Sequence, residues 1–514
     1  MYLLGLDVGT TGCKSVIFSV DGSIVSSAYE EYVLYHKRPE WSELNPEEVW
    51  QAVVSAIKRS IRNAEINSRA IEAISVSVLG EAFIPIDDYG KFLRWSMTTF
   101  DARAEKQVKW WETHFNPQKM YEITGQPLTS SMPIYTLQKI QWIRENEPQI
   151  YKKTWKFLCW EDYVNFRLCG KPVTDRSIAT RTMMYDIKSK RWSKEILEIA
   201  NIDEDLLPEV ELSGTPIGEV TETASQETGL SEGTLVVTGG HDQACGALGA
   251  GVIDEGPAMD ATGTVECIAV AQRRPVLTQS LRAGGFAVHC YVTDDLYYTF
   301  GFNPCGGVIL RWFRDNFAEK ERELAQNAGT SVYDILIEMA SESPLGSLSL
   351  FLLPYFEGSG TPIFNRKARG AIIGLTLAHK KKDIIRGILE GLTYELRNNI
   401  EAIEKNGIAI SELRAIGGGA KSSFWLQLKA DVTGKMVVAP NVTEAAALGA
   451  AILAGVGSGA FRNVEDGVKN VYKVRALYRP NKEIACQYEK YYQLYKKIYW
   501  ALREIFEELN EINV

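Results

Sequence analysis

One short pattern occurs twice in this chain, once at the start and once near the middle. An apolar run from Tyr2 enters Asp7-Val8-Gly9-Thr10-Thr11-Gly12 and leaves through Cys13-Lys14-Ser15-Val16-Ile17-Phe18. Pro257-Ala258-Met259-Asp260-Ala261-Thr262-Gly263-Thr264 repeats it and runs on into Val265-Glu266-Cys267-Ile268-Ala269-Val270. Each reads as strand, glycine-threonine turn, strand. A single copy is either an ordinary hairpin with a Gly-rich tip or a turn that wraps phosphate oxygens in backbone N–H and hydroxyl groups. In the second case Asp7 can hold a hydrated magnesium ion. Two copies, each opening one half of the chain, predict a duplicated domain whose turns face each other across a cleft. A chain of 514 residues also exceeds what one core holds, so two large domains are expected on length alone.

Between the two patterns lies Val236 to Gly251, V-V-T-G-G-H-D-Q-A-C-G-A-L-G-A-G. Leu235 to Thr238 is a β-branched run typical of a buried strand. Gly239 and Gly240 break it, and His241-Asp242-Gln243 precede a small-residue segment that reads as a helix. In an α/β fold, ligands sit in the crevice at the carboxyl ends of strands, which is where these residues fall. Asp242 can take a proton there and Gln243 can orient a hydroxyl. The plainer alternative is a loop with a turn-forming Asp.

Other strand ends offer similar candidates. Ile71 to Val78 is a predicted strand that ends at Leu79-Gly80-Glu81, where Glu81 is either a crevice carboxylate or a solvated loop residue. Phe100-Asp101-Ala102-Arg103 places a carboxylate two residues from a guanidinium; both can touch hydroxyls, or they can pair with each other. Asn45-Pro46-Glu47-Glu48 is a helix start with Pro at its first position and acids in its first turn. The pattern from Met120 to about Asn165 is helical, with Trp142, Trp155 and Trp160 expected in the core. Leu413 to Ile416 reads as a strand into Gly417-Gly418-Gly419-Ala420-Lys421-Ser422-Ser423, where glycines let the backbone approach a flat or anionic ligand. Small residues predict a tightly packed helix over 444–455, and an amphipathic helix is expected over 483–509. Gly249, Gly251 and Gly256 predict a hinge within 247–257.

Composition narrows the partners. Net charge is −9 with no basic block, so neither nucleic acid nor an anionic membrane is expected. The eight cysteines show no C-x-x-C pair and no zinc spacing, as expected for thiols in a reducing compartment. With a strand predicted from residue 2 and no long apolar run, no signal peptide or membrane span is expected, and the location expected is cytoplasmic.

These residues together resemble the FGGY family of carbohydrate kinases over nearly the whole chain. Residues 370–390 (G-A-I-I-G-L-T-L-A-H-K-K-K-D-I-I-R-G-I-L-E) resemble the family's C-terminal signature, with Gly387 where Ala or Ser is usual. Residues 139–146 resemble its other signature. G-G-G-A-K-S at 417–422, D-V-T-G at 431–434 and W-S-E at 41–43 are most similar to xylulokinases. Gly80-Glu81 departs from their Met-His pair toward the Arg-Glu of glycerol kinases and autoinducer-2 kinases. So do Phe100-Asp101-Ala102-Arg103 and Trp312-Phe313-Arg314-Asp315.

The resemblance implies an α/β fold of two ribonuclease H-like domains of the actin and sugar-kinase class flanking a cleft. Residues 1–247 would form the sugar and phosphate side, and residues 248–514 the nucleotide side. It implies ATP-dependent phosphorylation of a small sugar or polyol, with Mg2+ and a homodimer among the assemblies allowed. Carried over by motif, Asp242 is the catalytic base and Asp7 the residue nearest magnesium. Thr10, Thr11 and Lys14 face the transferred phosphate from one lobe, and Thr262, Gly263 and Thr264 from the other. Gly306, Gly418, Gly419, Ala420 and Ser423 lie along the nucleotide; Gly80, Glu81, Phe100, Asp101 and Gln243 line the sugar pocket. An actin- or chaperone-like ATPase would share both turns but would need no sugar base.

Overall fold

In the computed structural model residues 1–512 are described. Two open sheets carry the chain, and both follow one plan. The first contains β1 (Tyr2–Val8), β2 (Gly12–Ser19), β3 (Ile24–Glu31), β4 (Ile71–Val78), β5 (Pro216–Glu219) and β6 (Leu235–His241), in the order β3-β2-β1-β4-β6-β5. Strands β1, β4 and β6 are parallel, while β2, β3 and β5 run antiparallel to their neighbours.

The second sheet contains β7 (Gly256–Thr262), β8 (Glu266–Gln272), β9 (Ala287–Cys290), β10 (Tyr297–Asn303), β11 (Ile410–Gly417), β12 (Met436–Pro440) and β13 (Val474–Tyr478). Its order, β10-β8-β7-β11-β12-β13 with β9 added outside β10, repeats the first strand for strand. The repeated sequence pattern is therefore a repeated topology, with each Gly/Thr turn joining the central strand to its hairpin partner.

Helices cover these sheets. In the first half they include α1 (Pro46–Ala64), α2 (Trp160–Cys169) and α3 (Arg176–Arg181). The Asn45 side chain caps α1 by accepting from Glu47 N–H, with Pro46 at the first helical position, as the sequence predicts. Helix α4 (Asp242–Gly249) follows β6 directly, and α5 (Gly307–Phe317), α6 (Lys381–Lys405), α7 (Ser423–Thr433), α8 (Ala445–Gly457) and α9 (Lys482–Ile512) belong to the second half. The expected helical stretch over 120–165 is in fact three short helices and a strand, Lys156–Cys159, before α2. Pro127, Pro133 and Pro148 break the periodicity there.

The two halves exchange a helix. Helix α8, from the second half, packs on β1, β4 and β6 of the first sheet, while α4 reaches toward β7 and β8 of the second. The two helices cross at glycines. A Cβ on Gly249 would lie 2.0 Å from Ala445 O, one on Gly449 would lie 1.9 Å from Cys245 O, and one on Gly5 would lie 1.9 Å from Ala447 O. The small-residue patterns around 244–251 and 445–455 thus mark backbone-to-backbone packing. No helix is long and apolar enough to cross a membrane among the described residues, and all eight cysteines are free thiols.

Candidate active site

The first turn sits at the end of β1. Gly9 N–H is hydrogen-bonded to Gly12 O at 3.0 Å, and the Tyr32 hydroxyl donates to Gly9 O (2.6 Å) and Gly12 O (3.0 Å). This leaves Thr10 and Thr11 at the tip, with Thr11 exposed. Asp7, three residues before Thr10, accepts from Ser77 Oγ at 2.9 Å. Burial raises its carboxyl to about 6, against the opposing pull of that hydrogen bond and of Lys14. Lys14 itself is engaged: its ammonium lies 2.7 Å from Glu444 Oε2, at the start of α8.

Strand β6 ends in a bulge. Its pairing with β4 shifts between Val237 and Gly240, where a Cβ on Gly239 would meet Val76 O at 1.9 Å. Two acids brace this bulge from behind. Glu161 Oε1 accepts Gly239 N–H at 2.7 Å, and Ser177 Oγ, itself bonded to Asp175, accepts His241 N–H at 2.9 Å. The brace delivers Asp242 as the first residue of α4. One third of its side chain remains open. Burial of the remainder, helped by the charge of Asp7 and opposed by Arg181, raises its carboxyl to about 7. His241 Nε2 lies 3.2 Å from Asp242 Oδ1, and Nδ1 lies 2.9 Å from the Tyr298 hydroxyl of β10. Burial holds His241 well below the usual imidazole range, so it is neutral. Gln243 Oε1 has no hydrogen-bond partner among the described residues.

Glu81 is not a solvated loop carboxylate. It is buried at a left-handed φ of 58°, with its carbonyl held by the Thr136 hydroxyl at 2.9 Å and Oε2 by Thr99 at 3.1 Å. Its Oε1 pairs with the Arg181 guanidinium, delivered by the last residue of α3. Gly80 lies beneath that guanidinium, and Thr99 Oγ1 bonds its carbonyl at 2.8 Å.

The pair at 101 and 103 follows the inward alternative. Asp101 is fully buried and accepts from Ser42 N–H (2.8 Å), Arg103 Nε (2.8 Å) and Arg103 Nη2 (2.6 Å). Arg103 also reaches Glu43 at 2.8 Å and stacks over Trp41 at 3.6 Å. Asp101 thus fixes the 98–103 loop, and both its oxygens are engaged. Phe100 beside it is 65% exposed.

The second turn gathers the other group. Gly306 and Gly307 donate to Thr264 O (2.9 Å) and Gly263 O (2.8 Å), seating the start of α5 on the turn. A Cβ on Gly306 would meet Val265 C at 2.6 Å, and one on Gly419 would meet Thr262 Cβ at 2.7 Å. Turn, Gly306 and glycine run therefore form one surface, with Gly263, Thr264, Gly418 and Ser423 exposed and Ala420 buried, its carbonyl taken by Arg475 at 2.6 Å. Thr262 faces the other way. Its hydroxyl is buried with Lys429 Nζ at 2.7 Å and Glu266 at 3.1 Å, and Lys429 also holds Asp260 at 2.6 Å. Only its backbone remains for a ligand.

Among the described residues no three His, Cys, Asp or Glu side chains gather to hold a metal ion by themselves. Magnesium in phosphoryl-transfer sites takes one or two carboxylates and completes its shell with phosphates and water, and Asp7 beside the turn fits that requirement. Sequence reasoning missed Arg181, His289, Tyr298, Glu444 and Lys429. Each reaches its partner across a long stretch of chain, so no local spacing marks it.

Residues 2–249 match the N-terminal domain of the FGGY family of carbohydrate kinases, and residues 259–458 match its C-terminal domain. A xylulose kinase of Staphylococcus epidermidis is 30% identical over 507 residues, covering 99% of this chain and 98% of that protein. A gluconokinase of Bacillus subtilis is 32% identical over 482 residues, covering 92% and 91%. The solved structure of a ligand-bound xylulose kinase from Lactobacillus acidophilus superposes with a TM-score of 0.89 at 26% identity, covering 99% of both chains.

Proposed function

The chain belongs to the FGGY family of carbohydrate kinases, and on that premise we propose that it moves the γ-phosphoryl group of ATP to a hydroxyl of a small sugar or polyol, with Asp242 as general base. Family membership also sets aside an actin- or chaperone-like ATPase. The observation that carries the base is the position of Asp242. It stands at a braced strand end, partly open, beside Gln243 Oε1, which has no hydrogen-bond partner among the described residues.

Phosphoryl transfer asks a protein for an oriented hydroxyl, a group to accept its proton, and donors for the phosphate oxygens. In this reading Asp242 accepts the proton of the attacking hydroxyl as its oxygen meets the γ-phosphorus, while Gln243 Oε1 accepts a hydrogen bond from a neighbouring hydroxyl of the acceptor and so orients it. Thr10, Thr11 and Lys14 contact the phosphate from one side, Gly263, Thr264 and the backbone of Thr262 from the other. Gly306, Gly418, Gly419, Ala420 and Ser423 form the floor for the nucleotide. Magnesium, held through Asp7, would neutralise phosphate charge when bound. Closure of the two lobes would keep water, a competing nucleophile, from the phosphate.

The acceptor proposed first is a ketose such as xylulose, because xylulose kinases are among the most similar relatives over the full length. Other linear polyhydroxy compounds, glycerol and the autoinducer-2 precursor included, follow from the Gly80-Glu81 departure. A coupled ADP-release assay across ketopentoses, pentitols, glycerol, gluconate and that precursor identifies the acceptor. Asp242→Asn should lower turnover with it by about a hundredfold or more and leave nucleotide binding nearly intact. Near wild-type phosphorylation in that variant would remove Asp242 from the role.

A further inference from the structure

We propose that Arg181 determines acceptor specificity, its guanidinium filling the space that Gly80 leaves open and selecting, with Glu81, an uncharged vicinal diol over a carboxylate-bearing acceptor. The inference rests on the acceptor site placed above at Asp242.

The space is defined by what a side chain at position 80 would meet. A Cβ there would lie 2.9 Å from Arg181 Nε and 3.1 Å from His241 Nε2. Any residue other than glycine must displace the guanidinium or the imidazole, so Gly80 and Arg181 form one unit. Arg181 arrives rigidly, because Asp175 caps its helix by accepting from Ser177 N–H (2.8 Å) and Ile178 N–H (2.9 Å). The guanidinium pairs with Glu81 through Nη2 and stands 3.3 Å from His289 Nε2 through Nη1. Its Nε is buried and has no hydrogen-bond partner among the described residues. That donor lies above Gly80, beside the imidazole that touches Asp242. A buried donor left unmade is costly, and a substrate oxygen is the group that would satisfy it.

Charge decides the class of acceptor. Glu81 cancels Arg181, Glu444 cancels Lys14, and Arg103 cancels Asp101. His241 and His289 are neutral. Asp242 is then the charge left facing the acceptor, and it repels a carboxylate. Hydroxyls suit the pair instead, one oxygen accepting from Arg181 Nε while its neighbour donates to the Glu81 carboxylate.

The test compares acceptors of equal carbon number that differ in charge, ketopentoses and pentitols against pentonates, by ADP release. The neutral members should lead in kcat/KM by about tenfold or more. Arg181→Met and Arg181→Lys should raise the KM of the best acceptor about tenfold while the KM of ATP moves less than twofold; thermal unfolding checks that both variants fold. Gly80→Ala should raise that KM in the wild-type background and add little to Arg181→Met. Preference for pentonates, or full additivity of Gly80→Ala and Arg181→Met, overturns the role of Arg181 and leaves the kinase reading standing. No turnover with any acceptor sinks the acceptor site, and this inference falls with it.

Discussion

His241 stands between Tyr298 and Asp242, with Nδ1 2.9 Å from the tyrosine hydroxyl and Nε2 3.2 Å from the carboxylate. A neutral imidazole carries one proton, and an ionised Asp242 can only accept, so that proton belongs on Nε2. The tyrosine, whose hydroxyl burial pushes well above its ordinary range, donates to Nδ1. One carboxylate oxygen is thereby engaged by the imidazole, and the third of the side chain that stays open is what remains for the substrate. Tyr298→Phe removes the hydroxyl that sets the tautomer. It should lower kcat about threefold to tenfold while the acceptor KM changes little, and steady-state kinetics read the split.

Asp242 also makes stability depend on pH. Its carboxyl titrates near 7 in the folded chain against 3.8 for the free group, so the folded state binds a proton that the unfolded state has released. Between those values stability falls as pH rises, and the cost is complete above 7. Asp242→Asn lacks this cost. The variant should match the wild type near pH 4 and exceed it by about 1–2 kcal/mol at pH 8, after discount for the open third of the side chain. Urea unfolding at the two pH values measures the difference; a gain independent of pH would count against it.

The ion pair of Lys14 with Glu444 competes with the phosphate that Lys14 is proposed to meet. Neutralising the acid should release the ammonium. Glu444→Gln should lower the KM of ATP severalfold, and Lys14→Met should raise it about tenfold or more. An unchanged KM in both variants would keep Lys14 outside the nucleotide site.

Gly249 and Gly449 permit the helix crossing, since each lacks the Cβ that would strike a carbonyl at 2.0 Å and 1.9 Å. Alanine at either position should destabilise the chain by about 1–3 kcal/mol, read as a lower urea midpoint with an unchanged slope. Gly249 also lies within the hinge expected over 247–257. Small-angle scattering should show compaction when an ATP analogue and acceptor bind together, and an unchanged radius of gyration would refute the closure.

The sequence revealed the duplicated topology because periodicity and turn chemistry are local. Both Gly/Thr turns, the β6 end with Asp242, and the Pro46 helix start all follow from residues within a few positions of one another. The pairs that complete the site do not. Arg181 meets Glu81 across 100 residues of chain, and no spacing rule marks the encounter. Asp101 and Arg103 were legible as a pair, but whether they faced a ligand or each other depended on Ser42, Glu43 and Trp41, which the tertiary fold brings beside them. Thr262 shows the same limit, for its hydroxyl turns inward to a buried lysine on α7. Over 120–165 periodicity misled because prolines cut one apparent helix into several.

The helix exchange sets an order of events during synthesis. Strands β1, β4 and β6 are made early, yet the helix that covers one of their faces is encoded at Ala445–Gly457. At ordinary translation speeds that helix leaves the ribosome on the order of ten seconds or more after β6. Until then the nascent first half has an apolar face without its cover, a surface on which a chaperone can bind and on which aggregation can begin. An isolated N-terminal half is therefore a poor unit for expression, and co-expression of the missing segment should restore its solubility.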